Sequence, residues 1–235
     1  MSETTSSRPL RIGLVVEGQT DGIVLRAAIR SLLPERELDF TTISPDFSLA
    51  FGGTGEGWSS VYRWCRQAAS EGGGSVSGSI SLLNHDALVI QVDADVAEET
   101  YQRGHIYDET ATDLPCVKPC PPADATTSAL RQVVLRWMNE PTLPPKCIFC
   151  TPSKNMEAWV MRALYPDNIH VKSSRWECHA SPEGQLSQQP KASRIAKTRR
   201  DYESRRPQLI AAWPQVRHLS EAERFSQEFV SAVES

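Results

Sequence analysis

The chain has 235 residues, room for one large domain or one and a half at roughly 150 residues per domain. Its 25 Lys and Arg against 29 Asp and Glu leave a formal charge of −4, which excludes a protein that coats nucleic acid by bulk positive charge and confines any such contact to a local patch. With 40% apolar residues and a mean hydropathy of −0.38 it is too apolar for wholesale disorder, and no apolar run approaches the roughly 18 residues of a membrane span.

Residues 1–9 read as a polar, disordered tail without the apolar segment of a signal peptide, so a cytoplasmic location and no membrane partner are expected. Residues 12–16, IGLVV, are apolar on both faces and stop abruptly at Glu17-Gly18-Gln19-Thr20-Asp21, the pattern of a strand inside a parallel sheet. A helix is predicted over about 21–33, ended by Pro34, then a short strand over 39–45. GGTGEG at 52–57 has the look of a phosphate cradle, but no Gly-Lys-Ser/Thr follows, so it reads as a turn or mobile loop into a helix over about 58–70. After a loop at 72–78, ALVIQV at 87–92 repeats the first pattern: an apolar strand delivering Asp93-Ala94-Asp95.

The Pro-rich stretch 97–122 reads as an insertion or long loop. A helix over about 124–139, a strand at Cys147–Cys150 and a helix opening at Asn155-Met156-Glu157 follow. Residues 166–190 are irregular, and two late helices are predicted at about 194–213, with a break at Pro207, and 220–233, opened by a Ser220/Glu223 capping box. Strands alternating with helices give an α/β class with a mostly parallel sheet flanked by helices, whose ligands bind beyond the carboxyl ends of the strands. The expected organisation is an α/β domain over 10–165 with an insertion at about 97–122, and a helical C-terminal extension over 166–235 packed on it.

Both acidic motifs fall at that edge. Alternation along a strand puts Asp93 and Asp95 on one side, and two carboxylates about 4 Å apart repel by roughly 4 kcal/mol at an effective dielectric of 20. They need a cation, a shared proton or solvent, and hard oxygen ligands select Mg²⁺ or Mn²⁺. Glu17 reaches the same ion if the two strands are neighbours, and Asp21 sits at a helix start that favours a carboxylate. Glu157, at another helix start, is the candidate for a second metal. The plain alternative for each acid is a helix cap or a solvated turn.

The pair strand–Glu17-Gly-x-Thr-Asp21–helix and strand–Asp93-x-Asp95 resembles the Toprim domain of topoisomerases, primases and OLD-type nucleases. Over residues 10–165 the resemblance implies a Toprim-like, Rossmann-like fold, catalytic roles for Glu17, Asp93 and Asp95, and Mg²⁺ held by the aspartates. The EGQTD form and Asn155-Met156-Glu157-Ala158-Trp159 are most similar to small stand-alone Toprim-like proteins. Many of these are paired with an ABC-type or AAA-type ATPase in phage-defence, abortive-infection modules. The chain lacks DNA-gate domains, a nucleophilic tyrosine context and a primase zinc domain, which leaves metal-dependent hydrolysis of DNA or RNA as the expected activity. A non-catalytic Toprim-fold subunit that regulates an ATPase partner is the alternative. An aspartyl phosphatase ranks last, since VDADV lacks the context that follows the nucleophile in such enzymes.

Residues 191–206 hold seven Lys and Arg against two acids, so positive charge is segregated there. Lys191, Arg194, Lys197 and Arg199 are the candidates for nucleic-acid contact; the alternative is a solvated helix face or a protein contact. The six cysteines are read as thiols. Cys116-x3-Cys120 and Cys147-x2-Cys150 have the count for zinc, but the second pair lies in an apolar strand with side chains facing opposite ways, so zinc is not expected. The five histidines show no metal-binding spacing, and Trp58, Trp64, Trp137, Trp159 and Trp213 read as core.

Overall fold

The computed structural model describes residues 8–45 and 55–234. The order of elements is β1 (Leu10–Val15), α1 (Gln19–Leu32), β2 (Leu38–Ser44), α2 (Trp58–Glu71), α3 (Ile80–Asn84), β3 (Ala87–Gln91), α4 (Asp124–Trp137), β4 (Cys147–Cys150), α5 (Glu157–Leu164), α6 (Pro182–Ser187), α7 (Arg199–Val216) and α8 (Ser220–Glu234). The four strands form one sheet in the order β2-β1-β3-β4, and every pair is parallel. This is an α/β fold with a parallel sheet flanked by helices, of the Rossmann-like kind.

The sheet follows from strands that are apolar on both faces, since burying both needs helices above and below. Ile12, Leu14, Ala87 and Val89 face a core shared with α1, α5, α7 and α8. Val15, Leu88 and Ile90 face a second core built on α2 and α4. Gly13 lets the strands close up, because a Cβ there would fall 2.7 Å from Ile43 Cδ1 and 2.9 Å from Leu88 Cδ1. The register pairs Leu14 with Val89 and Val15 with Ile90, so β1 and β3 end side by side.

The C-terminal extension is part of this body: α7 packs on α1 and α5, α8 packs on β4, and Trp159, Trp213 and Phe225 interlock with ring centroids 5.4 to 6.4 Å apart. The stretch 97–122 is packed as well, with Tyr101, Ile106 and Leu114 buried in the second core. Residues 1–7 of the expected tail and 52–54 of GGTGEG lie outside the described residues. Arg8, inside the expected tail, is held by Asp86 through two hydrogen bonds of 2.7 and 2.9 Å.

Several sequence expectations are corrected. The first late helix starts at Arg199 instead of 194, because Thr198 caps it by accepting from Asp201 N–H at 3.2 Å. It also runs unbroken through Pro207 and Pro214, since Tyr202, Leu209 and Trp213 anchor both sides of the prolines in the core. The Ser220/Glu223 capping box does not form: Glu177 accepts from Ser220 N–H (3.0 Å) and Ser220 Oγ (2.9 Å), and Glu223 accepts from Gln227 instead. The loop expected at 72–78 carries a short 3-10 turn at Val76–Gly78 and leads into α3, capped by Ser79.

The thiol reading fails for two cysteines. Cys120 and Cys178 form a disulfide with Cα atoms 5.6 Å apart, so Cys120 is not a free thiolate, while Cys65, Cys116, Cys147 and Cys150 are free. Cys120 lies on an irregular segment and Cys178 at the end of a 3-10 turn over Trp176–Cys178, positions that no periodicity could give. The bridge fixes Glu177, the cap of α8, next to Cys178. Among the described residues no helix is long and apolar enough to cross a membrane.

The bridge closes a separation of 58 residues, and cross-links of that span stabilise by about 2 to 4 kcal/mol. Cys178→Ser is expected to lower the urea midpoint by a matching amount, and reductant should move the wild type to the same place. A midpoint indifferent to both would contradict the bridge.

Candidate functional site

The carboxyl ends of β1 and β3 are fastened by a single buried amide. Gln91, the last residue of β3, is fully buried; its Oε1 accepts from Glu17 N–H at 2.9 Å and its Nε2 donates to Asp93 Oδ1 at 2.7 Å. Asp93 N–H in turn donates to Glu17 Oε1 at 2.7 Å. The two strand tips therefore close a ring of hydrogen bonds that sets Glu17 against Asp93.

Asp95 arrives by a different route from the one expected. β3 stops at Gln91, and Asp93 precedes a 3-10 turn over Ala94–Glu98, so strand alternation does not relate the two aspartates. Instead Ala94 N–H and Asp95 N–H donate to the carbonyls of Pro152 and Lys154, at 3.1 and 2.9 Å. The turn after β3 is thus stitched to the loop after β4.

Asp21 is buried in the first turn of α1, close beside Gly18. Glu157 opens α5 with its side chain only 2% exposed. Lys197 Nζ lies 2.7 Å from Glu157 Oε1, close enough for an ion pair, yet neither oxygen of Glu157 receives a hydrogen bond of normal geometry. The Tyr202 hydroxyl is also buried without a partner.

The electrostatics record this crowding. Burial, then the neighbouring carboxylates, push Glu17 and Asp93 well above the ordinary range, although the Asp93 N–H pulls Glu17 back in part. Asp21 is raised to about 7 by burial and by Glu157. Asp95 is raised to about 6 by burial, with Lys154 opposing and Glu157 adding to the shift. Burial alone would lower Lys197, but Glu157, Asp21 and Asp93 outweigh it and hold the ammonium charged.

Glu17, Asp21 and Asp93 line a cavity of about 390 Å³ together with Glu56, Lys197 and Arg199. Glu56 comes from GGTGEG: Gly57, at φ 87°, caps α2 in a conformation open to glycine, and its N–H donates to the Glu17 carbonyl at 2.8 Å. Of the basic candidates, Lys197 and Arg199 reach this cavity. Arg194 turns away to the Ser187 carbonyl (3.1 Å), and Lys191 is exposed and outside the lining. Among the described residues no group of three or more His, Cys, Asp or Glu side chains is placed so that it could hold a metal ion; Glu17 and Asp93 are held by protein donors, and Glu157 is paired with Lys197.

Gln91 and Glu56 were missed from sequence. A glutamine inside ALVIQV is the one available signal for the first, since a polar residue buried in such a strand must find partners. Comparison with protein-family models, with curated proteins and with solved structures returned no match.

The raised carboxyls give a pH dependence of defined sign. A carboxyl with a folded pKa above its unfolded value binds more protons folded than unfolded, so stability falls as pH rises from about 4 to the folded pKa. In chelator, stability is expected to decline between pH 4 and 7, and Asp21→Asn should restore about 1 to 3 kcal/mol at pH 8, measured by urea denaturation. A flat profile, or an Asp21→Asn variant weaker than wild type at pH 8, would contradict this picture.

Proposed function

We propose that the chain is a Mg²⁺-dependent, Toprim-like nuclease that hydrolyses phosphodiester bonds of DNA or RNA. The observation that supports it best is the meeting of Glu17 and Asp93 at adjacent parallel strand ends, with buried Asp21 lining the same cavity and buried Glu157 paired with Lys197, which also lines it. The donor set fits a hard divalent cation: all oxygens, strongly repelling, with both Glu157 oxygens buried and short of hydrogen bonds. Glu17, Asp21, Asp93, Asp95 and Glu157 would hold Mg²⁺, or Mn²⁺. When bound, the ion supplies activation of the attacking water and charge neutralisation at phosphorus.

The residues of the chain divide the remaining work. Glu17 has one oxygen fixed by Asp93 N–H, and burial raises its carboxyl above the ordinary range, which suits it to take up and return a proton. Lys197 and Arg199 line the rim and neutralise phosphate oxygens. Lys197 also pairs with Glu157, so the same ammonium guards the buried carboxylate. The resemblance to small Toprim-like proteins adds an effector role in anti-phage defence under an ABC-type or AAA-type ATPase from a neighbouring gene, in the cytoplasm.

A second reading is favoured by the hydrogen bonds themselves. Glu17, Gln91 and Asp93 satisfy one another, as they would in a non-catalytic subunit where the acids fasten the strand tips and the chain regulates an ATPase. The two readings separate on cleavage. The purified chain, alone and with the neighbouring ATPase, is incubated with plasmid, single-stranded DNA and tRNA in Mg²⁺, Mn²⁺ or chelator. Metal-dependent cleavage is expected, reduced roughly a thousandfold in Asp93→Asn. No cleavage with any partner or metal, with intact complex formation by Asp93→Asn, would overturn the nuclease reading in favour of the second.

A further inference from the structure

A second cavity, of about 380 Å³, opens between α1 and α7 and shares Gly18, Gln19 and Arg199 with the acidic one. Its character is opposite. Arg26, on α1, stands half-buried in its wall: one Nη donates to Thr42 Oγ1 at 2.6 Å, while Nε is buried with no acceptor among the described residues. The Arg26 guanidinium is braced by the Phe40 ring, 5.9 Å away, which Arg30 flanks at 5.4 Å.

Four guanidinium groups, Arg26, Arg30, Arg199 and Arg206, are near enough for the last three to depress Arg26 beyond the effect of burial. One carboxylate, Glu203, opposes them at the cavity wall, and it is engaged by Arg206 at 3.0 Å. A braced arginine that lines a cavity beside Arg199, with other arginines close by, has the chemistry of an oxyanion site. Ile23 and Pro45 supply an apolar wall beside it. Positive charge here is not an extension of the basic segment alone, since Arg26 and Arg30 come from the helix that also carries Asp21.

We propose that this cavity is a phosphodiester subsite for a nucleic-acid strand, holding the phosphate next to the one presented to the acidic centre. Arg26 and Arg199 bind its oxygens, and Ile23 and Pro45 receive the attached sugar or base. Arg199 faces both cavities, so a strand lying across it spans the two. The subsite rests on the proposed nuclease reading for its purpose but is measured separately, by binding.

The test is fluorescence anisotropy with a labelled single-stranded DNA or RNA oligonucleotide, in Ca²⁺ and again in chelator, across a salt series. Arg26→Gln and Arg199→Gln are each expected to weaken binding about tenfold and to lower the slope of log K against log salt by about 0.7. A neutral methylphosphonate strand should bind the wild type weakly and be indifferent to Arg26→Gln. Wild-type affinity and slope in both variants, no strand binding by the wild type, or competition by inorganic phosphate alone that outdoes the strand would each overturn the subsite. Should Arg26→Gln unfold in a thermal melt, Arg26→Lys, which keeps the charge and loses the planar fork, decides, with weakened binding expected and wild-type binding overturning the subsite. Weakened binding in the variants with no cleavage by any form keeps the subsite and removes the nuclease. Cleavage with unchanged KM in both variants does the reverse.

Discussion

The arrangement depends on two parallel strands ending in register and on what must then be done with the charge they carry. Val15 pairs with Ile90, so the residues beyond them have nowhere to go but toward each other, and Gln91 fastens them there. Setting Glu17 against Asp93 under burial is unfavourable for both. The rest of the site is a set of answers to that repulsion: a backbone N–H for Glu17, an amide for Asp93 and an ammonium for Glu157.

The C-terminal extension is what makes those answers available. α7 packs on α1 and α5, which carries Lys197, just before its cap, into the acidic cavity and sets Arg199 between two cavities of opposite sign. The segregation of charge along the sequence thus becomes a juxtaposition in space. Glu177 and the Cys120–Cys178 bridge act at a distance, fixing the start of α8 and so the helix that covers β4.

What the sequence made legible was governed by periodicity. IGLVV, ALVIQV and CIFC have no polar face, and that alone specifies strands buried on both sides; α1, α2 and α4 show their apolar stripes and appear within a few residues of the expected positions. Pattern fails where a partner lies far along the chain. The Glu177 cap of α8 spans 43 residues, and it displaced a local capping box that had the right spacing. Pro207 marks a break by local rules, yet packing on either side overrides it. At the site, Glu17 and Asp93 were found because both end apolar strands, but the Asp93–Asp95 relation was assigned to alternation when a 3-10 turn sets it. Gln91, Glu56 and Arg26 carry no pattern of their own; only the fold shows what they meet.

The central claim is that the carboxylates at the tips of β1 and β3 form one cation site, and calorimetric titration of Mn²⁺ into chelator-stripped protein addresses it without depending on any substrate. The account predicts saturable binding by the wild type that disappears in a Glu17→Gln, Asp93→Asn double variant whose circular dichroism and melting remain those of a folded chain. Absence of saturable binding to the wild type, or binding that survives the double substitution unchanged, would contradict it.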